Sequence, residues 1–259
     1  MPSIDLDTLL AAARDASLAP AEAQALIGML DLTSLSGSET AAEIENLCRT
    51  AVDASVAAVC VYPAFVTLAK PHLASHAIKL AAVANFPDGS DDIARAVDEG
   101  LQAISGGAQE IDVVAPLDAI EAGDVGIVGE LVDACREAFG PAIAIKLILE
   151  TGRLERPDVI TAAARSAVMA GVTMLKTSTG KVPVGATLEA AAALLSVIQE
   201  SDGRVGLKVS GGVRTAADAA GYRYLVAQMM GEDWLKAENF RIGASSLLAD
   251  LQRAADAAR

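Results

Sequence analysis

The sequence predicts a closed (β/α)8 barrel, and three observations support that fold class. Short apolar runs alternate with segments of helical periodicity along the chain. The runs are almost continuously apolar, as expected of parallel strands that are covered on both faces. Eight such strand–helix units, at a spacing of roughly thirty residues, fit into the 259 residues. Eight units in about 250 residues favour a closed barrel over an open sheet.

The first third of the chain predicts a helical extension followed by three strand–helix units. Helical periodicity covers residues 5–17 and 20–28, and Pro20 suits the first turn of the second helix. Residues 86–89 form a turn signal, and residues 90–92 begin a helix with an N-cap residue and acids in its first turn. The expected strands end at Asp31, Cys60 and Asn85.

The remaining chain continues this alternation. Gly171 is a C-cap residue that separates a helix over residues 157–170 from the next apolar run. Because no change of composition marks a second domain, we predict one barrel domain over residues 1–259, with residues 1–27 as a helical N-terminal extension. The expected strands end at Asp112, Lys146, Lys176, Lys208 and Gly243. The other expected helices cover residues 39–54, 91–105, 116–139, 187–200 and 215–230, and one ends near His76.

The composition argues against several kinds of partner and site. A formal net charge of −14 disfavours nucleic acid and anionic membranes as partners. A small anionic substrate stays compatible, because a local lysine cluster can hold a phosphate on an acidic protein. Three unevenly spaced cysteines predict neither a disulfide framework nor a zinc site. His72 and His76 have the i, i+4 spacing of metal ligands, but they lack a third ligand nearby, so we predict no metal.

The sequence carries no signal for export or membrane insertion. Its first residues lack the positive segment and apolar core of a signal peptide. No apolar stretch approaches the ~20 residues of a membrane span. We therefore expect a cytoplasmic protein.

Lysines at the ends of apolar runs are the main functional signal. Burial disfavours the ammonium form, and the usual reason to accept that cost is chemistry on the neutral amine. Since barrel active sites form at the carboxyl ends of the strands, we expect three of these lysines to share one site with Asp112. Of only seven lysines, four lie in or just after strand-like segments, namely Lys146, Lys176, Lys181 and Lys208.

Proximity of these amines suggests how one of them becomes a nucleophile. Two ammonium groups ~4 Å apart repel by about 4 kcal/mol at an effective dielectric constant of 20, which corresponds to roughly three pKa units. We therefore assign the nucleophile to Lys176 and the perturbing cation to Lys208. Asp112 would serve proton transfer, with Lys146 as its partner on the next strand.

The loops after the seventh and eighth strands predict an anion-binding end of the site. In such barrels these loops often bind phosphate through backbone amides and a helix N-terminus. Glycines there permit close approach to an oxyanion, serines offer hydroxyl groups, and Lys181 adds charge from the sixth loop. The glycines and serines concerned are Gly211, Gly212, Gly243, Ser245 and Ser246.

Several of these residues also have a structural interpretation. Lys181 could instead be an ordinary exposed loop lysine, and Asp112 could simply neutralise Lys146 as an ion pair. Asp31 fits either a paired core acid or a residue of the barrel mouth. Glu110 is expected to be a buried partner inside the barrel rather than a catalyst.

Several motifs together resemble deoxyribose-phosphate aldolase. The resemblance implies a class I aldolase on a TIM barrel that needs no metal or cofactor. It also implies the reversible cleavage of 2-deoxy-D-ribose 5-phosphate to acetaldehyde and D-glyceraldehyde 3-phosphate, within deoxyribonucleotide catabolism. The motifs lie in family order at Asp31–Thr33, Asn85–Pro87, Glu110–Val114, Lys146–Gly152, Lys176–Gly180, Gly211–Thr215 and Gly243–Leu248.

The same resemblance implies roles for particular residues. Lys176 would be the Schiff-base lysine, Lys208 its pKa-lowering neighbour and Asp112 the proton-relay acid. The residues that would support the substrate and the proton relay are Lys146, Asp31 and Thr179. The residues that would hold the phosphate are Lys181, Gly211, Gly212, Gly243, Ser245 and Ser246.

The C-terminal residues depart from the family pattern. Members often end in a flexible tail whose terminal tyrosine is linked to proton transfer, whereas this chain ends Ala257-Ala258-Arg259. We therefore expect proton exchange to proceed without that tyrosine or through water.

Two further interpretations stay open. A Schiff-base aldolase of the same fold could act on another sugar phosphate, and a comparison of substrates would separate the two enzymes. A catalytically silent barrel could instead bind a sugar phosphate without forming an imine. The expected partners are small molecules, a sugar phosphate and acetaldehyde, and a homodimer is left open as the assembly.

Overall fold

The computed structural model describes residues 5–257 as a closed barrel of eight parallel strands surrounded by helices. Each strand pairs with the next along the chain, and the last pairs with the first. The predicted (β/α)8 fold class is thereby confirmed. In chain order the strands are β1 (Leu30–Thr33), β2 (Ala58–Val61), β3 (Lys79–Ala84), β4 (Glu110–Val114), β5 (Ala144–Ile148), β6 (Met174–Lys176), β7 (Gly206–Ser210) and β8 (Phe240–Ala244).

The α-helices follow the predicted alternation, and short 3₁₀ turns at Pro63–Phe65 and Glu232–Trp234 accompany them. In chain order the helices are α1 (Leu6–Arg14), α2 (Pro20–Ile27), α3 (Ala41–Ala54), α4 (Val66–Leu73), α5 (Ile93–Gly106), α6 (Leu117–Glu121), α7 (Gly126–Phe139), α8 (Thr151–Leu154), α9 (Pro157–Met169), α10 (Leu188–Glu200), α11 (Ala216–Met230) and α12 (Leu248–Asp256).

The helices differ from the prediction in three places. The segment expected to be helical over residues 116–139 divides into α6 and α7, because Gly123 between them has φ +98°, which interrupts a right-handed helix. The four-residue helix α8 is too short to leave a periodic pattern in the sequence. The first helix ends at Arg14, and of the predicted extension over residues 1–27, residues 1–4 lie outside the described part of the chain.

Several predicted strand ends lie inside the strands instead. Asp112, Lys146 and Lys208 each occupy the third of five positions in β4, β5 and β7, and Asp31 is the second residue of β1. A charged residue within an apolar run resembles a strand end in the sequence. Here charges from different strands pair inside the barrel, so the strands continue past them.

Aliphatic packing surrounds this charged interior. The main apolar cluster is built mostly from Ala, Val, Ile and Leu side chains of the strands and the surrounding helices. Helix α1 packs on α10 and α11, and α2 packs on α12, so the N-terminal helices join the outer layer of the barrel. Within residues 5–257, no helix is both long enough and apolar enough to cross a membrane. Residues 258 and 259 of the C-terminal segment discussed above lie outside the described residues.

Candidate active site

Seven charged side chains meet inside the barrel. Strand residues alternate between faces, so Glu110 and Asp112, two positions apart on β4, point to the same side. All seven are buried and linked by ion pairs. The members of this barrel network are Asp31, Glu110, Asp112, Lys146, Lys176, Lys208 and Arg241.

Lys176 and Lys208 lie side by side on β6 and β7. They are paired in register, and both side chains turn to the carboxylate of Asp112. Each Nζ lies 2.7 Å from Asp112 Oδ2. Lys208 Nζ also lies 2.5 Å from Asp31 Oδ2. The two lysines thus share one carboxylate oxygen, and Lys208 has a second anionic partner.

Lys146 is the most enclosed of the three lysines and contacts three carboxylates. Its Nζ lies 2.5 Å from Glu110 Oε2, 2.8 Å from Asp31 Oδ2 and 3.3 Å from Asp112 Oδ1. Asp112 and Lys146 are paired in register on β4 and β5, as neighbouring strands predict. The shorter contacts nevertheless join Lys146 to Glu110 and Asp31. Glu110 is therefore a buried partner, and Asp31 is a paired core acid.

The lysines of the network differ in their pKa shifts. Burial lowers the pKa of Lys176, Asp112 opposes that shift and Lys208 adds to it, and the result is a pKa below the usual lysine value. Burial also acts on Lys208, but Asp112 and Asp31 outweigh it and raise the pKa. Burial is thus a larger cause for Lys176 than the neighbouring ammonium invoked from the sequence. Lys176 is the amine that loses its proton most readily.

The two aspartates of the network are held as carboxylates. Burial alone would raise their pKa values, but the ammonium groups of Lys146 and Lys208 outweigh it at both sites. The pKa of Asp31 lies well below its usual value, and the pKa of Asp112 is also lowered. Both groups are therefore ionised carboxylates at neutral pH.

A cavity of about 360 Å³ opens at the mouth of the barrel beside Lys176. The loops after β1, β6, β7 and β8 form its wall. Of the three buried lysines in the described residues, Lys176 lines this cavity, whereas Lys146 and Lys208 do not. The residues predicted to hold a phosphate all line the same cavity, namely Lys181, Gly211, Gly212, Gly243, Ser245 and Ser246.

Two of these glycines are required by close packing. Gly211 has φ +81°, and a Cβ there would lie 3.1 Å from the Cα of Gly185 and 3.2 Å from that of Gly180. A Cβ at Gly243 would lie 2.9 Å from Lys208 Cε. The first glycine lets two loops of the mouth approach each other, and the second leaves room for the buried lysine.

Hydrogen bonds connect the loops that carry Thr179 and Lys181. The Lys181 ammonium donates to the backbone oxygen of Leu35 in the loop after β1. The Thr179 hydroxyl donates to Glu150 and accepts the backbone N–H of Lys181 at 3.0 Å. Thr179 therefore orders the loop after β6, and its hydroxyl is bound to Glu150 rather than to the barrel network.

A family model described as DeoC/LacD family aldolase matches residues 25–253. The chain therefore belongs to the DeoC/LacD family of aldolases. This confirms the resemblance found in the sequence motifs. The match covers all eight strands, and every residue of the barrel network lies within it.

Solved structures that resemble this aldolase are consistent with its family. A candidate deoxyribose-phosphate aldolase from Coccidioides immitis is 27% identical, with 96% of this chain and 98% of that chain covered and a TM-score of 0.79. A second candidate, from Toxoplasma gondii ME49, is 25% identical, with 90% and 93% covered and a TM-score of 0.81. A deoxyribose phosphate aldolase from Aeropyrum pernix, described as having a unique tetrameric structure, is 23% identical, with 99% and 100% covered and a TM-score of 0.77. That last likeness concerns the fold alone.

The site of this aldolase includes two residues that the sequence analysis missed. Arg241 lies inside the barrel, where its guanidinium contacts Asp31 and Glu110. It is a charged residue in an apolar run, the same signal that marked the lysines. Glu150 lies two residues after the end of β5 and is buried, and burial raises its pKa. Its place after a strand that carries Lys146 could have marked it.

Proposed function

We propose that this aldolase cleaves 2-deoxy-D-ribose 5-phosphate reversibly to acetaldehyde and D-glyceraldehyde 3-phosphate through a Schiff base on Lys176. One observation carries the proposal: the buried lysine with the lowered pKa is also the one that lines the mouth cavity. The neutral form of that amine is the nucleophile toward a carbonyl. The phosphate-binding residues expected from the sequence line the same cavity.

The first half of the reaction forms the imine. The Lys176 amine attacks the aldehyde carbon of the open-chain sugar, and loss of water from the carbinolamine leaves a protonated imine. Asp112 Oδ2, 2.7 Å from the Lys176 nitrogen, is within reach to take the proton that the amine releases. The Lys208 ammonium contacts the same Asp112 oxygen and supplies a positively charged hydrogen-bond donor there.

The second half breaks the carbon–carbon bond. The protonated imine accepts the electron pair of the C2–C3 bond, the C3 hydroxyl loses its proton, and D-glyceraldehyde 3-phosphate leaves. The enamine that stays on Lys176 takes a proton at carbon, and water then releases acetaldehyde and the free amine. Each proton transfer needs a group near the reacting carbon, and Asp112 is the acid–base group nearest to Lys176.

The other end of the cavity suits the phosphate of the substrate. Ser245 and Ser246 precede α12, and Gly211 and Gly212 lie in the loop after β7. Backbone N–H groups at such a position, with the Lys181 ammonium opposite, are typical of phosphate sites in this fold. The phosphate would anchor the sugar with its aldehyde toward Lys176.

Borohydride trapping tests the proposal. The protein is incubated with 2-deoxy-D-ribose 5-phosphate, reduced, and analysed by intact mass and peptide mapping. We expect a stable adduct on Lys176 that is absent in Lys176→Ala and present in the matched control Lys236→Ala. Bound ligand without an adduct would overturn the aldolase mechanism and support a silent sugar-phosphate-binding barrel. An adduct on Lys208 would reverse the assignment of the two lysines.

A substrate series tests the narrower part of the proposal. Cleavage of other sugar phosphates at a higher kcat/KM than 2-deoxy-D-ribose 5-phosphate would favour the alternative hypothesis, a Schiff-base aldolase that acts on another sugar phosphate. The corresponding cellular role would be deoxyribonucleotide breakdown in the cytoplasm. The homodimer expected from the sequence stays a prediction.

A further inference from the structure

Charges in the barrel network are not equal in number. Three carboxylates, those of Asp31, Glu110 and Asp112, face four basic groups, those of Lys146, Lys176, Lys208 and Arg241. With every group ionised the network carries one positive charge. Loss of one proton from one of the lysines makes the network as a whole neutral.

Arg241 and Glu110 are two members of the network that do not line the cavity. Arg241 Nη1 lies 2.6 Å from Asp31 Oδ1, and its Nη2 lies 3.3 Å from Glu110 Oε1. Its Nε donates to the backbone oxygen of Ala237 in the loop before β8. The guanidinium is therefore held at three nitrogen atoms. Neither Arg241 nor Glu110 lines the mouth cavity, so neither reaches the substrate.

We propose that Glu110 and Arg241 are positioning residues that balance the charge of the network, so that its three carboxylates pair with Lys146, Lys208 and Arg241 and leave Lys176 as the uncharged amine. The inference rests on the proposed function, since it explains how the Schiff-base lysine is chosen among three buried lysines.

The ion-pair contacts show that the carboxylates are shared unequally among the four cations. Asp31 binds three cations, Lys146, Lys208 and Arg241, and Lys176 is not among its ion-pair partners in the described residues. Lys146 has three carboxylate partners and Lys208 has two. Lys176 has only Asp112, which it shares with both of the other lysines. It is therefore the cation with the fewest anionic contacts.

Cys60 and Glu150, outside the network, also act on Lys176, but both are unchanged in every variant compared below. Cys60 on β2 faces the network, but burial raises its pKa to about 11, so it is an uncharged thiol at neutral pH. Strand β3 contributes uncharged Ala81 and Val83 to the cluster around Cys60. Glu150, beyond the end of β5, is bound to Thr179 and stays the same in every variant below.

The inference predicts opposite effects of two neutralising substitutions. Glu110→Gln removes a negative charge, which disfavours the Lys176 ammonium and moves its titration to lower pH. Arg241→Gln removes a positive charge and moves the titration of Lys176 to higher pH. The double variant Glu110→Gln/Arg241→Gln restores the original charge count and returns the titration to the wild-type value. A merely structural role would not produce shifts of opposite sign.

Titration of the lysine ¹³Cε signals measures these shifts directly. The chain has seven lysines, so protein labelled with [ε-¹³C]lysine gives a simple spectrum, in which Lys176→Met assigns the Lys176 signal. We expect each single variant to shift the midpoint by roughly half a pH unit or more, which is about a threefold change in the neutral fraction. If Arg241→Gln does not fold, Glu110→Gln and the double variant alone provide the test.

The outcomes separate this inference from the proposed function. Opposite shifts in the single variants, with the double variant at the wild-type value, support the charge balance. One titration midpoint common to all variants, or shifts of the same sign, would overturn it. Borohydride trapping on the wild-type protein tests the Schiff base independently, because the NMR titration needs no substrate.

Discussion

Lys176 and Lys208 bind the same carboxylate oxygen, Asp112 Oδ2, and each amine nitrogen lies 2.7 Å from it. A proton that leaves one amine can therefore be accepted at an oxygen that the other amine already contacts. Asp112 and Asp31 together raise the pKa of Lys208, and its Nζ lies 2.5 Å from Asp31 Oδ2. This arrangement shifts the pKa values of the two lysines in opposite directions although they are neighbours on adjacent strands.

Replacement of Lys208 should suppress activity through the pKa of Lys176. Lys208→Met removes a cation that lowers this pKa and leaves Asp112 free to hold the Lys176 ammonium, so both changes raise it. We expect the acid limb of the kcat/KM profile to move to higher pH and activity at pH 7 to fall by roughly 100-fold, as a rise of about two pKa units would give. The measurement is a pH–rate profile.

The control for that prediction is Lys236→Met, which alters an exposed lysine outside the barrel. Its profile should match the wild type. An acid limb that stays in place in Lys208→Met would show that Lys208 does not set the protonation of Lys176.

Asp112 should be important for stability as well as for proton transfer. Asp112→Asn keeps the shape of the side chain but leaves buried ammonium groups without a carboxylate partner, which typically costs about 3–5 kcal/mol. Urea unfolding should report that loss. In the matched control Asp118→Asn, an exposed ion pair with Arg153 is removed, and the expected change is about 1 kcal/mol or less. Equal effects of the two substitutions would contradict the view that Asp112 bridges the buried lysines.

Lys181 should discriminate phosphorylated from unphosphorylated substrates. Lys181→Met removes a charge from the cavity wall, so KM for 2-deoxy-D-ribose 5-phosphate should rise about tenfold, the effect of roughly 1.4 kcal/mol. The kcat/KM for unphosphorylated 2-deoxy-D-ribose should stay the same, and Lys79→Met, at an exposed site away from the cavity, should affect neither. Equal losses for both substrates would instead assign Lys181 to holding the loop of Leu35.

Glu150 should make the protein less stable as the pH rises. Burial raises its pKa above the ordinary value of 4.5, so the folded protein binds more protons than the unfolded chain between those two pKa values. The favourable contribution is complete below pH 4.5 and is lost as the pH rises through the folded pKa.

Glu150→Gln should remove this part of the pH dependence, because an amide does not titrate and its oxygen, placed at the Oε2 position, can still accept from the Thr179 hydroxyl and backbone N–H. Denaturant unfolding over a range of pH values measures it. Glu200→Gln, which removes an exposed ion pair with Arg165, is the control. In this variant the stability should still decline as the pH rises. A decline that persists unchanged in Glu150→Gln would assign it to other groups.

Local signals in the sequence predicted the barrel and its buried lysines. Eight apolar runs at regular spacing identified the barrel, and lysines inside those runs identified Lys146, Lys176 and Lys208 as unusual. The same signal applied to Arg241 but was considered only for lysines. Glu150 has no local signal of comparable strength, since a glutamate after a strand is ordinarily solvated.

Pairing between distant strands could not be predicted from the sequence. Asp31 was compatible with the core or the mouth, and only the closed barrel places it against Lys146, Lys208 and Arg241, which lie 115, 177 and 210 residues away along the chain. The strand ends were assigned to charged residues for the same reason, because the opposite charges that allow burial belong to other strands.

The sequence by itself determined the fold class and the family and predicted the chemical type of the site, because periodicity and residue identity are properties of short segments. Only the tertiary structure decided which carboxylate neutralises which cation and which lysine opens into the cavity. Those properties depend on distances between side chains from different strands and on their exclusion from water. Electrostatic interactions in a buried site vary steeply with both quantities, and neither can be read from the order of the residues.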